Sequence, residues 1–300
     1  MAGTVRGCTH LMLTLSTLLD AAGLDPAKTV VMRHRPFEPS LRRVFSGIAR
    51  TRPDLMDAYQ RTQFSRAEGA MTRADHLVCC IGETSGEALF IGVFDINAYW
   101  TVKPKDEYAE PDVQELVQLG LNQLNAERDE IIRFDLSPRD NFADYEKRLI
   151  LNWPGLERAW YRWADRNSFD ITAYLPAEVS DPEMPSWKGL ELSIAEIKTL
   201  PQTWRTKLGQ WRGVYYIFDT ALKQGYVGSA GGGDNIHGRW LGYVTNGHGG
   251  NAGLRKSDPK ALKFSILERV SPDMPQVDLI AIENGWKDRL HTRKYGLNRN

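Results

Sequence analysis

The chain has 300 residues, 42% of them hydrophobic and 25% charged, which excludes a disordered or fibrous polymer and gives length enough for two domains with a core in each. Lys plus Arg and Asp plus Glu both number 38, so the formal charge is zero. Residues 201–300 nevertheless carry 15 basic against 8 acidic side chains, and the rest 23 against 30; a basic C-terminal third suits a polyanion, or is an asymmetry between two solvated surfaces.

In chain order, "HLMLTLSTLLDAAGLDP" reads as an amphipathic helix closed by Gly23. It lacks the basic start and unbroken apolar core of a signal peptide, and Asp20 interrupts it. No window has the apolar length of a membrane span, and three cysteines, Cys79 beside Cys80 among them, make no disulfide framework. A cytoplasmic protein without a membrane partner is expected. Residues 1–70 read as mostly helical. Within them "VVMRHRPFEPSLRRVF" sets Arg33, His34, Arg35, Arg42 and Arg43 around Phe37 and Phe45, the composition of a nucleic-acid contact or of a solvated helix face. "DAYQRTQF" offers Tyr59, Gln60 and Gln63; glutamine reads adenine edges and is also common on helices.

Two apolar runs in 76–97 flank a Thr-Ser-Gly turn and predict a hairpin. Residues Asp112 to Arg128 repeat apolar side chains at helical spacing. The stretch 149–176 alternates as short strands, and its Trp153, Trp160 and Trp163 suit either a core or a stack for a flipped base. Proline and acid enrich 176–187, a surface crossing, and 192–211 is a helical connector. The chain is therefore expected to be α+β: residues 1–200 form one or two mixed α/β units, and residues 205–300 a small separate domain.

That last part holds the chemistry. "GVYYIF" (213–218) and "GYVGS" (225–229) are β-rich runs joined by the polar "DTALKQ". In such a hairpin Tyr215 and Tyr226 approach each other across the sheet, while Gly213 and Gly228 leave backbone bare for a ligand or another chain segment. After a glycine run, a helix capped at Asp234 or Asn235 sets Arg239 and Tyr243, four apart, on one face. "NGHGGN" (246–251) is a second glycine-rich loop, whose His248 serves as an additional acid or base or shapes the turn. A final helix has apolar positions Val277, Ile280, Ile282 and Trp286. It also carries Glu283, a hard oxygen ligand that needs a partner or a cation, four residues before Lys287, and Gly296 follows as a stop signal.

The ordered set "GVY", eleven residues from tyrosine to tyrosine, "YVG", an arginine with a tyrosine four later, a late glutamate and a final asparagine resembles the GIY-YIG nuclease family over roughly residues 205–300. The resemblance implies a three-stranded antiparallel sheet flanked by helices. It implies that Tyr215 or Tyr226 is the general base toward water, that Arg239 steadies phosphate charge beside Tyr243, that Glu283 holds a divalent metal, Mg²⁺ or Mn²⁺, and that Asn298 is the terminal asparagine of the site. Two departures stand out: Ser229 replaces the lysine that follows the second tripeptide in the excinuclease C branch, and "GGGDNI" lengthens the approach to Arg239.

The chemistry is self-consistent. Phosphodiester hydrolysis needs an activated water and cations for the developing charge. A phenol is a poor base at a pKa of about 10, and a nearby cation and bound metal favour its ionised form. The expected function is a metal-dependent DNA endonuclease of restriction or defence, with residues 1–200 selecting duplex DNA and a homodimer possible on a symmetric target. The alternatives are a structure- or lesion-specific repair nuclease, an RNA nuclease, and a DNA-binding protein with an inactive nuclease fold.

Overall fold

The structure is a computed structural model that describes residues 13–82, 84–123, 125–155, 158–179, 183–233 and 235–299. In chain order it runs α1 (Leu15–Ala21), β1 (Thr29–His34), α2 (Pro39–Thr51), α3 (Pro53–Gln60), α4 (Ser65–Met71), β2 (His76–Ile81) and β3 (Glu87–Val102). There follow α5 (Pro104–Glu107), α6 (Pro111–Gln118), β4 (Ile131–Pro138), β5 (Leu149–Asn152), β6 (Tyr161–Trp163) and β7 (Ile171–Tyr174). The remainder is β8 (Glu191–Ser193), α7 (Ile194–Lys198), α8 (Gln202–Gly209), β9 (Arg212–Asp219), β10 (Gln224–Ala230), α9 (Asn235–Asn246), β11 (Leu262–Val270) and α10 (Gln276–Arg289). The chain is α+β. Among the described residues no helix is long and apolar enough to cross a membrane.

Two compact units divide it: residues 1–35, 57–110 and 123–180 form one, and 36–56, 111–122 and 181–300 the other. The first unit is built on a mixed sheet of order β6-β1-β2-β3-β5-β7, with β4 paired to β3. β1 runs parallel to β2, and the other pairs are antiparallel. The helical reading of residues 1–70 is corrected here. "TVVMRH" is a strand buried along its whole length, because adjacent β-branched residues pack better on a pleated sheet than on a helix.

That placement removes Arg33 and His34 from any open surface, since each is 3% exposed. The Arg33 guanidinium donates instead to the carbonyls of Glu87 (2.7 Å) and Thr84 (2.8 Å). Gln60 and Gln63 are also buried and present no amide edge to a base. The helix read over Asp112 to Arg128 is only α6, and Gly120 follows it at φ +102°, where the chain turns away. Trp153 packs on Phe169 in the core, while Trp160 and Trp163 pack against the Val30–Met32 cluster, so core packing accounts for all three. Cys79 and Cys80 are buried free thiols, and burial pushes both upward in pKa.

His34 gives this unit a pH response. Its Nε2 has no hydrogen-bond partner, its ring meets Tyr59 edge-on at 5.3 Å, and burial pushes its pKa from 6.5 down to about 4. A folded pKa below the unfolded one means that the unfolded chain binds the proton more readily. The stabilising term is therefore complete above about pH 6.5 and lost as pH falls toward 4, roughly 3 kcal/mol in all. Urea unfolding of the wild type and His34→Leu from pH 7.5 to 4 should show the wild type losing roughly 3 kcal/mol relative to the variant as the pH drops; parallel curves would place the proton elsewhere.

The second unit carries an antiparallel sheet of order β10-β9-β11-β8. The expected three strands are joined by a fourth, β8, from a stretch read as connector. Its last residue, Ser193, forms a capping box with Glu196 that starts α7 at once. Alternation along β9 sends Tyr215 and Ile217 to one core, with Trp240, Tyr243 and Phe264, and Val214 to another, with Val227, Val270 and Leu279. α10 covers the second core with Leu279, Ile282 and Trp286. Val277 and Ile280, expected on its apolar face, are 71% and 44% exposed, because the buried stripe follows the 279, 282, 283, 286 spacing of one helical face.

Candidate active site

The β9–β10 hairpin sets Tyr215 opposite Gly228 and Tyr226 opposite Ile217, so the two tyrosines are diagonal neighbours on one face. Tyr215 lies across Gly228. A Cβ built at Gly228 would stand 2.5 Å from the Tyr215 Oη and 2.8 Å from the Tyr226 ring. Of the two possible uses of this bare backbone, the approach of another chain segment is the one realised here. Gly213 is likewise covered, by the Glu268 carbonyl and Ile236. Gly228→Ala should cost about 1–3 kcal/mol by overpacking and slow any chemistry at Tyr215 on the order of 10²-fold, since ~1 Å of misplacement carries that penalty. A variant with wild-type melting and wild-type turnover would contradict this geometry.

α9 stands over this face. Asp234, the first of the two expected caps, lies outside the described residues; Asn235 Nδ2 donates to the Gly209 carbonyl at 2.7 Å. One turn on, Arg239 Nε donates to Tyr215 Oη at 3.0 Å, and its guanidinium lies 5.2 Å from the centre of the Tyr243 ring. Tyr215 and Tyr243 share a hydrogen bond of 2.9 Å. Asn251 then donates from Nδ2 to Tyr243 Oη at 2.7 Å and accepts at Oδ1 from Tyr226 Oη at 2.8 Å. One continuous chain of polar contacts thus runs from Arg239 through three phenols and an amide.

Sequence reasoning missed Asn251. It sits at the end of "NGHGGN", a loop whose only residue with an expected chemical role is His248. His248 Nδ1 accepts from Gly250 N at 3.0 Å, and its carbonyl accepts from Asn251 Nδ2 at 3.3 Å. The His248 ring is thus engaged within its own loop, and its backbone supports Asn251. Gly249 packs on the Tyr243 ring at φ +54°, where a Cβ would stand 2.7 Å from ring carbons. A glycine is required there to bring the loop against the phenol.

Asn298 is 1% exposed and reaches β10 from outside: its Oδ1 accepts from Val227 N at 2.9 Å and its Nδ2 donates to Val227 O at 2.8 Å. With Leu297 N donating to Gly225 O at 2.8 Å, residues 297–298 satisfy the free edge of β10. Asn298 therefore fixes the strand that carries Tyr226.

Glu283 approaches from α10. Its Oε1 lies 2.7 Å from Lys287 Nζ, and its Oε2 accepts a short hydrogen bond from Ser229 Oγ. The Lys287 side chain is 3% exposed and that of Glu283 13%. The position that lacks the excinuclease-type lysine therefore holds a hydroxyl, and an ammonium reaches the same carboxylate from the next turn of α10. Among the described residues no three His, Cys, Asp or Glu side chains are grouped to hold a metal. Each Glu283 oxygen keeps a lone pair, so this donor set suits a hard cation bound to one carboxylate, which retains most of its water and takes further ligands from a phosphate, as Mg²⁺ commonly does.

Burial pushes the phenols of Tyr215, Tyr226 and Tyr243 above their ordinary range. Arg239 pulls each downward without overcoming that term. Arg239 thus favours the ionised phenols as expected, and burial opposes it more strongly. Tyr215 is fully enclosed, whereas Tyr226 is 7% exposed.

No protein-family model matches the chain, and no curated protein matches it. Among solved structures, it is similar to the catalytic domain of the intron endonuclease I-TevI, determined as a glutamate-to-alanine mutant. The sequence identity is 25%, covering 30% of this chain and 94% of that one, with a TM-score of 0.26.

Proposed function

We propose that this chain is a metal-dependent endonuclease of the GIY-YIG type that hydrolyses phosphodiester bonds in duplex DNA, in restriction or defence. The observation that carries the reading is the chain of contacts from Arg239 through three phenols and Asn251 beside the β9–β10 hairpin, with Glu283 held by Ser229 of the same hairpin and its charge acting on Tyr215 and Tyr226. Arg239 keeps its terminal guanidinium nitrogens for a phosphate while Nε is held by Tyr215. Tyr226, the phenol with some access to solvent, is assigned to the attacking water. Tyr215 and Tyr243 position Arg239, and Asn251 orients the Tyr226 hydroxyl. Glu283 would hold a divalent cation, which would supply positive charge for the reacting phosphate. Ser229 and Lys287 hold that carboxylate in place.

Selection of the DNA is assigned to the first unit, where Tyr99 and Trp100 stand 51% and 47% exposed on the outer part of β3. Deleting residues 1–200 would also remove 36–56, 111–122 and 181–200, with β8 and α7, from the second unit, so substitutions on β3 are the cleaner probe. The decisive experiment is cleavage of plasmid, phage, modified and single-stranded DNA and of RNA, with Mg²⁺ or Mn²⁺ and with chelator. Metal-dependent cutting of duplex DNA supports the reading. Binding without cutting of any substrate makes the chain a DNA-binding protein, and cutting confined to RNA or to lesions moves it to those substrates.

A further inference from the structure

A cavity of the second unit is lined by Trp187, Trp211, Arg269, Lys207 and Gln210, with residues 184–186 closing one side. The Arg269 guanidinium carbon lies over Trp211, 3.9 Å from its ring centre, and 5.8 Å from the centre of Trp187, whose ring also has Lys188 Nζ at 5.9 Å. Trp187, Trp211 and Arg269 are partly exposed, and Lys207 and Gln210 are exposed. Two cations line the cavity, and none of its described lining residues is acidic. Planar π-faces beside two cations that make no ion pair among the described residues match a nucleotide, which offers a flat base and an anionic phosphate.

The position of the cavity fits the same ligand. Arg269 pairs with Gly213 on β9, as Ile266 pairs with Tyr215, and period-two alternation puts Trp211, Gly213 and Tyr215 on one face. The Trp211 carbonyl accepts from Ile236 N at 3.3 Å, which ties the cavity to the first turn of the helix that carries Arg239. Four residue steps lead from Trp211, just before β9, to Tyr215, roughly 13 Å, or about four steps at the ~3.4 Å axial spacing of one DNA strand.

We propose that this cavity is a nucleotide subsite that grips the substrate strand to one side of the cut, the base stacked on Trp187 and Arg269 and the phosphate held by Arg269 and Lys207. The assignment of the ligand to a substrate strand rests on the nuclease reading. Stacking and cation contacts of this kind are sequence-tolerant, so the subsite sets affinity and register and leaves choice of sequence elsewhere.

The test uses the full chain, with fluorescein-labelled single-stranded and duplex 30-mers titrated in EDTA, and with plasmid cleavage in Mg²⁺ at saturating enzyme. Trp187→Ala and Arg269→Ala should each raise Kd about 5- to 150-fold. Trp187→Phe should retain most of the affinity, and Arg269→Ala should lower the slope of log Kd against log salt by about 1. Melting temperatures are measured for every variant, because Trp187 packs against the core that holds Tyr215, Tyr226 and Tyr243; Trp187→Phe and Arg269→Ala then separate a lost nucleotide contact from a loosened fold. Unchanged Kd in both alanine variants, or no binding of either 30-mer by the wild type, overturns the subsite. If the wild type cuts and the variants bind normally, the nuclease reading survives and the subsite falls. If nothing is cut but the variants lose binding, the subsite stands and the nuclease reading falls.

Discussion

Glu283→Gln is expected to reduce single-turnover cleavage about 10³-fold or more, because it removes the carboxylate charge that suits a cation worth several kcal/mol to the transition state. The choice of glutamine over alanine follows from Lys287. That ammonium is 3% exposed and 2.7 Å from Glu283 Oε1, and removing one partner of a buried pair typically costs about 3–5 kcal/mol by leaving the other charge uncompensated. Glu283→Ala would therefore lose activity for two reasons at once, folding and chemistry. Glutamine keeps one carbonyl oxygen to accept from Lys287 and turns its NH2 to donate to the Ser229 hydroxyl; the Lys287 charge loses its counter-ion in both variants, but the retained contacts should make the melting temperature fall less than that of the alanine variant. Adding Lys287→Met to Glu283→Ala should restore stability and leave activity absent. A glutamine variant that cleaves at the wild-type rate would remove Glu283 from the site.

Why the site was readable in sequence, and the first unit was not, has a physical basis. Tyr215, Tyr226, Arg239 and Tyr243 lie on two regular elements, so spacing alone fixes their relative faces: period two along the hairpin and four residues along α9. Glu283 and Lys287 follow the same helical rule. Asn251 escaped notice because it joins the cluster through a loop whose path is set by Gly249 against the Tyr243 ring, and no periodicity describes such a path. Asn298 enters the sequence reading only through the family resemblance, and its contact, a paired bond to Val227 across the free edge of β10, depends on how residues 297–298 return to the sheet. In the first unit β1 has no alternation because both of its faces are buried, so period gives no means of telling a short buried strand from a buried helical turn. Arg33 and His34 consequently looked like surface groups, when the guanidinium of one closes the turn before β3 and the ring of the other stands against Tyr59.

Arg239→Ala should lower the cleavage rate about 10²- to 10³-fold at saturating enzyme, the cost of removing one preorganised donor from a transition-state oxyanion, with a smaller effect on DNA affinity. The side chain acts in two directions. Toward the protein, Nε donates to Tyr215 and the guanidinium plane faces the Tyr243 ring, which fixes the fork before substrate arrives. Toward the substrate it offers its remaining N–H groups as a planar pair. Lysine keeps the charge but neither the fork nor the planar contact, so Arg239→Lys should recover little of the loss. The partner variant Tyr215→Phe separates positioning from basicity. If Tyr215 only holds Arg239, phenylalanine should cost about 10-fold or less, near the ~1 kcal/mol net value of a hydrogen bond, whereas Tyr226→Phe should cost about 10² to 10⁴ as the loss of a general base. The reverse ranking of the two phenylalanine variants would exchange the roles of the tyrosines, and equal losses would mean that the phenols act as one hydrogen-bonded unit through Tyr243 and Asn251.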